Sequence, residues 1–467
     1  MKLVMKFGGS SVGDYLSMRR VVRIVTQHVS DHPDDRVIVV LSAMKGVTDR
    51  ILAVSKQAAE GDQKAVGSTV KNLARRHKKT ARDLIANKRI LHQVLTELDQ
   101  LLLEFERVLI GVAYLKELTL RSQDYLLSFG ERLSTNIIQG GLRDEGLVTQ
   151  MFTGGEVGII TDENYGSAVP LLNVTTHQVR ERLLPLLENQ IIPVITGFIG
   201  STQHNDISTL GRGGSDYSAT IIGYALDVDE VWIWTDVDGL MTADPKVVAS
   251  AKTIVSISFP EAMELVYFGA KAMHPKALEP AVEKGIPVRI KNTFNQTLTG
   301  TLICKHPPTT SSKIVKAVTI VWDVALVTIS GAGMIGTPGV AAQIFSILGQ
   351  NQINILMISQ GSSEANISII IRRKNLDQAV QLLEFSLLGK GVIRNVSFED
   401  DVCVIAVVGA GMRGTIGVAS RIFKAIADRQ INVRVIAQGS SELNVSFVVG
   451  EKDGARAVQA LHNEFQL

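Results

Sequence analysis

Cysteine is nearly absent. Of 467 residues only Cys304 and Cys403 carry a thiol, far apart and outside any CxxC or Cys/His spacing, so neither a disulfide framework nor a zinc site is indicated. Long apolar runs are missing too. No stretch reaches the roughly 18 residues that span a bilayer, and Lys6 with two glycines interrupts the only apolar segment near the N-terminus, so neither a membrane anchor nor a signal peptide is expected. An excess of one charge is also lacking. The formal net charge of +2 argues against a dedicated nucleic-acid binder, whose basic residues gather on one face. The basic run Arg75-Arg76-His77-Lys78-Lys79 reads as a solvated helix face. The chain is expected to be cytoplasmic.

What is present is an ordinary globular composition, 45% hydrophobic and 20% charged, in a chain long enough for two to four domains at roughly 150 residues each. Short Val/Ile-rich runs, Val37–Leu41, Ile191–Ile195 and Val231–Trp234, alternate with helical patterns, which predicts an α/β layout with a buried, mostly parallel sheet. Between about 60 and 120 the period changes. Leu95, Leu98, Leu102, Phe105, Leu109 and Val112 recur at three- and four-residue steps, the spacing of an amphipathic helix, so 60–120 is read as a helical insertion without evident chemistry. The proline-containing stretch 304–315 reads as an exposed connection. Beyond it the chain repeats: Gly331-Ala332-Gly333-Met334 returns as Gly409-Ala410-Gly411-Met412, and Gln360–Glu364 returns as Gln438–Glu442, at one shared offset of 78 residues (409 − 331 and 438 − 360). Two copies of one small module follow, with helices expected at Val340–Leu348 and Val418–Ile426.

Two glycine-rich loops carry charge. Leu3-Val4-Met5-Lys6-Phe7 is a buried-strand pattern that runs into Gly8-Gly9-Ser10-Ser11, where glycine lets backbone N–H groups approach a phosphate and Lys6 can neutralise it. A plain strand-ending turn is the competing reading. The Walker A pattern is absent. The second loop, Gly211-Arg212-Gly213-Gly214-Ser215-Asp216, precedes a helical stretch from Tyr217 to Ala225. It sets an Arg that binds carboxylates or phosphates bidentately beside flexible backbone, and a helix cap at Ser215 or Asp216 is compatible with the same pattern. Both copies of the repeat satisfy G-x-G-x-x-G, but the acid that a dinucleotide fold presents about 20 residues later is missing, which disfavours NAD binding.

Lys-Phe-Gly-Gly-Ser-Ser, Ser-Phe-Gly-Glu-Arg (128–132), Gly-Phe-Ile-Gly (197–200), Gly-Arg-Gly-Gly-Ser-Asp, Trp-Thr-Asp-Val (234–237) and Phe-Gly-Ala-Lys (268–271) stand in the order seen in aspartate kinases of the amino-acid kinase superfamily, and the repeats resemble tandem ACT domains. This resemblance implies a three-layer αβα sandwich over 1–303, a linker over 304–315, and two ferredoxin-like ACT domains over 316–395 and 396–467. It implies phosphoryl transfer from ATP, with Mg²⁺ held mainly by the phosphates, to the β-carboxylate of L-aspartate. By the same resemblance Lys6, Arg212, Asp216 and Lys271 are catalytic, while Ser42, Thr48, Glu131, Phe198, Arg212 and Ser215 form the amino-acid pocket. Lys6, Phe7, Gly8, Gly9, Ser10, Thr235, Asp236, Met241, Lys246, Lys271 and Ala272 border the nucleotide, with Met241 and Lys246 departing from a more frequent Tyr and Arg. For Glu131 the residues alone favour a surface salt bridge with Arg132 or a neighbour. Asn354, Gln360, Asn432 and Gln438 occupy equivalent places in the repeats, with Ile355 and Val433 beside them. Neutral amides suit a small hydroxylated amino acid, so threonine is the expected inhibitor ahead of lysine, in a homodimer or larger assembly.

Overall fold

The computed structural model describes residues 1–467 except 271–272, 309–312, 363–364 and 389–392. Lys271, Ala272, the Thr309–Ser312 part of the expected linker and the Ser363-Glu364 end of the first repeat motif therefore lie outside the described residues. Two compact units are present, one formed by 1–240, 255–259 and 271–309, the other by 241–254, 260–270 and 310–467.

In the first unit the strands are β1 (Lys2–Phe7), β2 (Arg36–Leu41), β3 (Thr149–Phe152), β4 (Ile160–Thr161), β5 (Ile192–Thr196), β6 (Ile199–Thr202), β7 (Ile207–Thr209), β8 (Glu230–Thr235), β9 (Ser256–Ser258), β10 (Val288–Asn292) and β11 (Thr301–Cys304). Among the described residues one sheet runs β3-β5-β2-β1-β8-β10-β11-β9, parallel except where β10 meets β11, and a smaller one runs β4-β6-β7. The central strands are covered on both faces, which is why they read as unbroken apolar runs. On one face Leu3, Met5, Phe7, Val39 and Leu41 share a core with α1 (Tyr15–Asp31), α2 (Val47–Ala59), α3 (Gln63–Leu84), α4 (Lys88–Leu115) and α5 (Leu120–Asp144). On the other face lie α6 (Leu172–Glu188) and the almost wholly buried α7 (Gly214–Leu226).

Local chemistry sets the helix starts. Asp14, Asp62 and Asn87 each accept a backbone N–H of the first turn, at α1, α3 and α4 respectively, satisfying donors that a helix leaves open. The insertion is helical as the period requires: Leu98, Leu102, Phe105, Leu109 and Val112 are all buried on α4. The basic run on α3 is not one solvated face. Arg75 and Lys79 are exposed, but His77 is fully buried, its Nδ1–H donating to the Leu73 carbonyl at 2.8 Å, and burial lowers its pKa to about 4. His77 is therefore a neutral core residue.

The second unit contains α8 (Phe259–Tyr267), whose residues 260–267 belong to it, then β12 (Ala317–Ser330), α9 (Val340–Gln350), β13 (Ile355–Gln360), β14 (Asn366–Arg372), α10 (Leu376–Leu387), β15 (Asn395–Val408), α11 (Val418–Ala427), β16 (Val433–Gln438), β17 (Asn444–Gly450) and α12 (Gly454–Glu464). The antiparallel sheet runs β13-β14-β12-β15-β17-β16. Both long strands serve both repeats. Ala317–Val321 pair with Val404–Val408, whereas Val324–Ser330 pair with β14 and with the start of β15, across a register shift between Val321 and Val324. The two cores divide accordingly: Val318 and Ile320 pack with Ile405, Val407 and Phe447, and Ala325, Val327 and Ile329 with Ile344 and Leu383. Residues 317–321, inside the first module by the division at 395/396, thus complete the core of the second, an interleaving that this sequential division does not contain. Ala243 and Val248 join the same core as Val318, which is why 241–254 group with this unit although the sequence pattern puts the boundary near 304.

The glycine motif of the second copy has a packing reason. A Cβ at Gly409 would sit 2.4 Å from the Ile314 carbonyl oxygen, and one at Gly411 2.8 Å from the Ile314 Cα, so the backbone of 313–315 occupies the space that side chains would need. Leu109→Ala should destabilise the first unit by about 2–5 kcal/mol through cavity formation, whereas Leu115→Ala, at an exposed site, should change it by less than about 0.5 kcal/mol. Equilibrium denaturant unfolding followed by circular dichroism compares the two.

Candidate active site

The site forms at the carboxyl ends of parallel strands, where ligands of open α/β sheets gather. At the end of β1 the Gly8 N–H donates to the Trp234 carbonyl at 3.0 Å, and Ser11 and Val12 donate back to the Gly8 carbonyl, closing a tight turn. The Phe7 and Trp234 rings stack beneath it at 5.9 Å. Gly9 faces the loop that follows β2: a Cβ there would lie 3.1 Å from the Ala43 carbonyl oxygen, and the Lys45 N–H donates to the Gly9 carbonyl at 3.1 Å. Glycine eases this backbone-to-backbone approach.

Lys6, only 6% exposed, forms an ion pair with Asp216, 8% exposed, in the first turn of α7. Neither Ser215 nor Asp216 caps that helix. The N-cap is Gly213, with φ of 73° and no side-chain cap, and a Cβ on it would meet the His274 Cβ at 2.4 Å. The competing cap reading does not hold, because the left-handed turn at Gly213 carries the cap residue into the loop, placing Ser215 and Asp216 inside the helix. The start of α7 still presents its open N–H groups and positive dipole end to the cavity.

Glu131 is a second correction. It is 3% exposed rather than on the surface, because Arg132 pairs with Glu104 at 3.2 Å on the other side of α5. Glu131 Oε1 accepts the Ala43 N–H at 3.1 Å, and Oε2 has no hydrogen-bond partner among the described residues. Burial pushes its pKa up to about 8, against the opposing pull of the Ala43 N–H and the Lys6 charge. One turn on, Ser134 Oγ donates to the Ser42 carbonyl at 2.6 Å. Phe198, in the left-handed region at φ 70°, is held by its N–H donating to Ser218 Oγ at 2.9 Å; a bulky residue there is strained.

Lys6, Gly9, Ser10, Ser42, Thr48, Glu131, Phe198, Arg212, Ser215 and Asp216 all line one cavity of about 410 Å³. Arg212 is exposed at its edge, with no hydrogen-bond or ion-pair partner among the described residues. Of the expected nucleotide residues, Phe7 is buried in the core, Gly8 lies in the adjoining turn, and Thr235 ends β8 with Asp236 next to it, both outside this cavity. Met241 and Lys246 belong to the second unit. Sequence reasoning missed Lys45 and Asp49, which also line the cavity; the available signal was the place of Lys45 in the loop after β2, beside the β1 turn, and of Asp49 in the first turn of α2. In the second unit Asn354, Gln360, Asn432 and Gln438 are exposed, Ile355 and Val433 are half-buried, and the outer strands approach each other, Ser359 Oγ donating to the Ile436 carbonyl at 3.4 Å.

Residues 1–292 match the model of the amino acid kinase family, and 327–387 and 405–465 each match an ACT domain model. The chain is 34% identical over 99% of its length to aspartokinase 1, chloroplastic, of Arabidopsis thaliana, covering 80% of that protein. The chain belongs to the aspartokinases of the amino acid kinase family. Its fold agrees with that of E. coli aspartokinase III, solved with aspartate and ADP, at a TM-score of 0.84 and 30% identity over the whole of both chains. The same E. coli enzyme solved with lysine and aspartate gives 0.79, covering 99% of each chain. As an aspartokinase the chain is an ATP-dependent kinase with an ACT regulatory region. Among the described residues no helix is long and apolar enough to cross a membrane.

The buried carboxyl of Glu131 sets a pH dependence. Its folded pKa of about 8 exceeds that of an exposed glutamate, so the folded state binds the extra proton and stability falls as pH rises from about 4.5 to about 8. Glu131→Gln, which cannot ionise, should match the parent in thermal stability at pH 5 and exceed it at pH 9. A constant difference across that range contradicts the assignment.

Proposed function

We propose that this cavity aligns the β-carboxylate of L-aspartate with the γ-phosphate of ATP and yields 4-phospho-L-aspartate and ADP. The observation that carries this reading is the convergence on one cavity of the buried Lys6–Asp216 pair with an Arg212 and a Glu131 Oε2 that have no partner among the described residues. The acceptor is already a carboxylate, so no general base is required. What the reaction needs is screening of two anions and in-line placement. Lys6, with the backbone of Gly8 and Gly9, screens the transferring phosphoryl group, and Asp216 holds the Lys6 ammonium in place. Arg212 takes a substrate carboxylate in a fork-to-fork pair. Glu131 Oε2 receives the α-ammonium, a partner that offsets its burial, and Ser42, Thr48, Phe198 and Ser215 shape the remaining wall. Asp216 is engaged by Lys6 through Oδ1, and Mg²⁺ enters with the nucleotide phosphates. Lys271 and Ala272, with Thr235 and Asp236, complete the nucleotide side of this proposal.

Exposed Asn354, Gln360, Asn432 and Gln438 support a small hydroxylated amino acid as effector, so threonine is proposed as feedback inhibitor of a step leading toward lysine, threonine and methionine. Exposed Ile358, Phe398 and Ile436 on the sheet support association of two or more copies through the second unit. Cytoplasmic placement stays with these proposals.

With Mg-ATP and hydroxylamine, aspartate should give aspartyl hydroxamate and glutamate should not; no product from aspartate removes the reading. Millimolar threonine should lower the initial velocity, and inhibition by lysine with threonine inert would reverse the effector assignment.

A further inference from the structure

The helical insertion reaches the site through Arg76. This side chain, on α3, is half-buried, and its Nη2 donates to the Gly13 carbonyl at 2.8 Å and the Lys45 carbonyl at 3.0 Å. One nitrogen thus spends both of its N–H groups, splayed in the guanidinium plane, on two different loops. Gly13 ends the turn that begins at Gly8, and Lys45 lies in the loop after β2 that carries Ser42 and leads to Thr48. Between their inner parts the loops meet through backbone: the Lys45 N–H donates to the Gly9 carbonyl, and a Cβ at Gly9 would lie 3.1 Å from the Ala43 carbonyl oxygen. At this outer end the loops are tied by a side chain of neither.

The surroundings of Arg76 do not favour a buried cation for its own sake. Its partial burial and nearby Arg50 both act against its charge, and only Asp14 favours it. A desolvated guanidinium beside another cation costs stability unless its hydrogen bonds compensate, and those bonds fix the spacing of the two loops. By the proposed function one loop holds the phosphoryl donor and the other the carboxylate acceptor.

We propose that Arg76 is a positioning residue that sets the distance between donor and acceptor loops from outside the cavity. It touches neither substrate; it fixes the register in which they meet. Removing it therefore leaves each substrate its own binding groups and loosens their alignment. Misplacement by about 1 Å is enough to cost about 10²-fold in rate.

The test uses the full chain with Arg76→Met, Arg76→Lys and, as control, Arg75→Met at the exposed neighbour. Arg76→Met should lower kcat by about 10- to 100-fold, with the Kd values of aspartate and of Mg-ATP each within about threefold of the parent. Arg76→Lys, which keeps donors on a shorter stem, should lose only about threefold, and Arg75→Met should not change. Amide hydrogen exchange of the substrate-free protein, which needs no turnover, should show the Lys45 N–H exchanging about tenfold faster in Arg76→Met. This second readout stands even if aspartate proves not to be the acceptor. A kcat within twofold of the parent, a loss accounted for by weaker binding, or unchanged exchange at Lys45 overturns the proposal. If Arg76→Met does not fold, Arg76→Lys decides, and parental kcat with parental exchange in that variant is equally fatal.

Discussion

Lys6 and Asp216 meet in a nearly dry setting, and the rest of the catalytic unit is arranged around keeping them there. Lys6 is on the central strand of the large sheet, and Asp216 is in the first turn of a helix that begins only because Gly213 turns left-handed against His274. Buried ion pairs gain little net stability, but loss of one partner leaves the other uncompensated. The pair therefore acts less as a brace than as a fixed charge held ready. It leaves positive potential from Lys6, Arg212 and the start of α7 directed at one cavity, which suits chemistry that brings two anions together.

A single helix holds the surrounding loops. On α5, Asp124 accepts from the Gly166 N–H, the Thr209 N–H and the Thr209 hydroxyl at 2.8 to 2.9 Å, fixing the segment that leads to Arg212. Seven residues later Glu131 holds the Ala43 N–H, and Ser134 takes the Ser42 carbonyl. Residues at those spacings share a helix face, so one rigid element sets the position of two loops. Burial raises the pKa of Asp124, against its three hydrogen bonds, and does the same more strongly for Glu131. The difference lies in satisfaction: Asp124 spends both oxygens on the protein, whereas Glu131 keeps Oε2 unpaired.

Much of this was legible in the sequence wherever a period or a repeated spacing carried the signal. Buried parallel strands read as continuous Val/Ile runs, α4 as a stripe of leucines, and the duplication as a constant offset. What failed were inferences from sequence neighbours. Glu131 beside Arg132 looks like a surface pair, yet consecutive helix residues point apart, and Arg132 found Glu104 instead. Ser215 and Asp216 look like caps because capping residues are polar, but glycine supplied the turn. Arg76 sits among exposed cations and differs from them only in what α3 packs against. The interleaved β12 and β15 could not be read locally, since strand pairing across a repeat boundary leaves no mark on either strand's own pattern.

In the proposed reaction Lys6 acts on the transferring phosphoryl group and not on the binding of aspartate. The most direct measurement is the single-turnover rate of Lys6→Met with Mg-ATP and aspartate, together with the aspartate Kd of the same protein. The rate should fall by at least about 10²-fold, in line with loss of one electrostatic group from a preorganised site, with the Kd changed by less than about threefold. A rate within about threefold of the parent, or a loss explained by weaker aspartate binding, would contradict it.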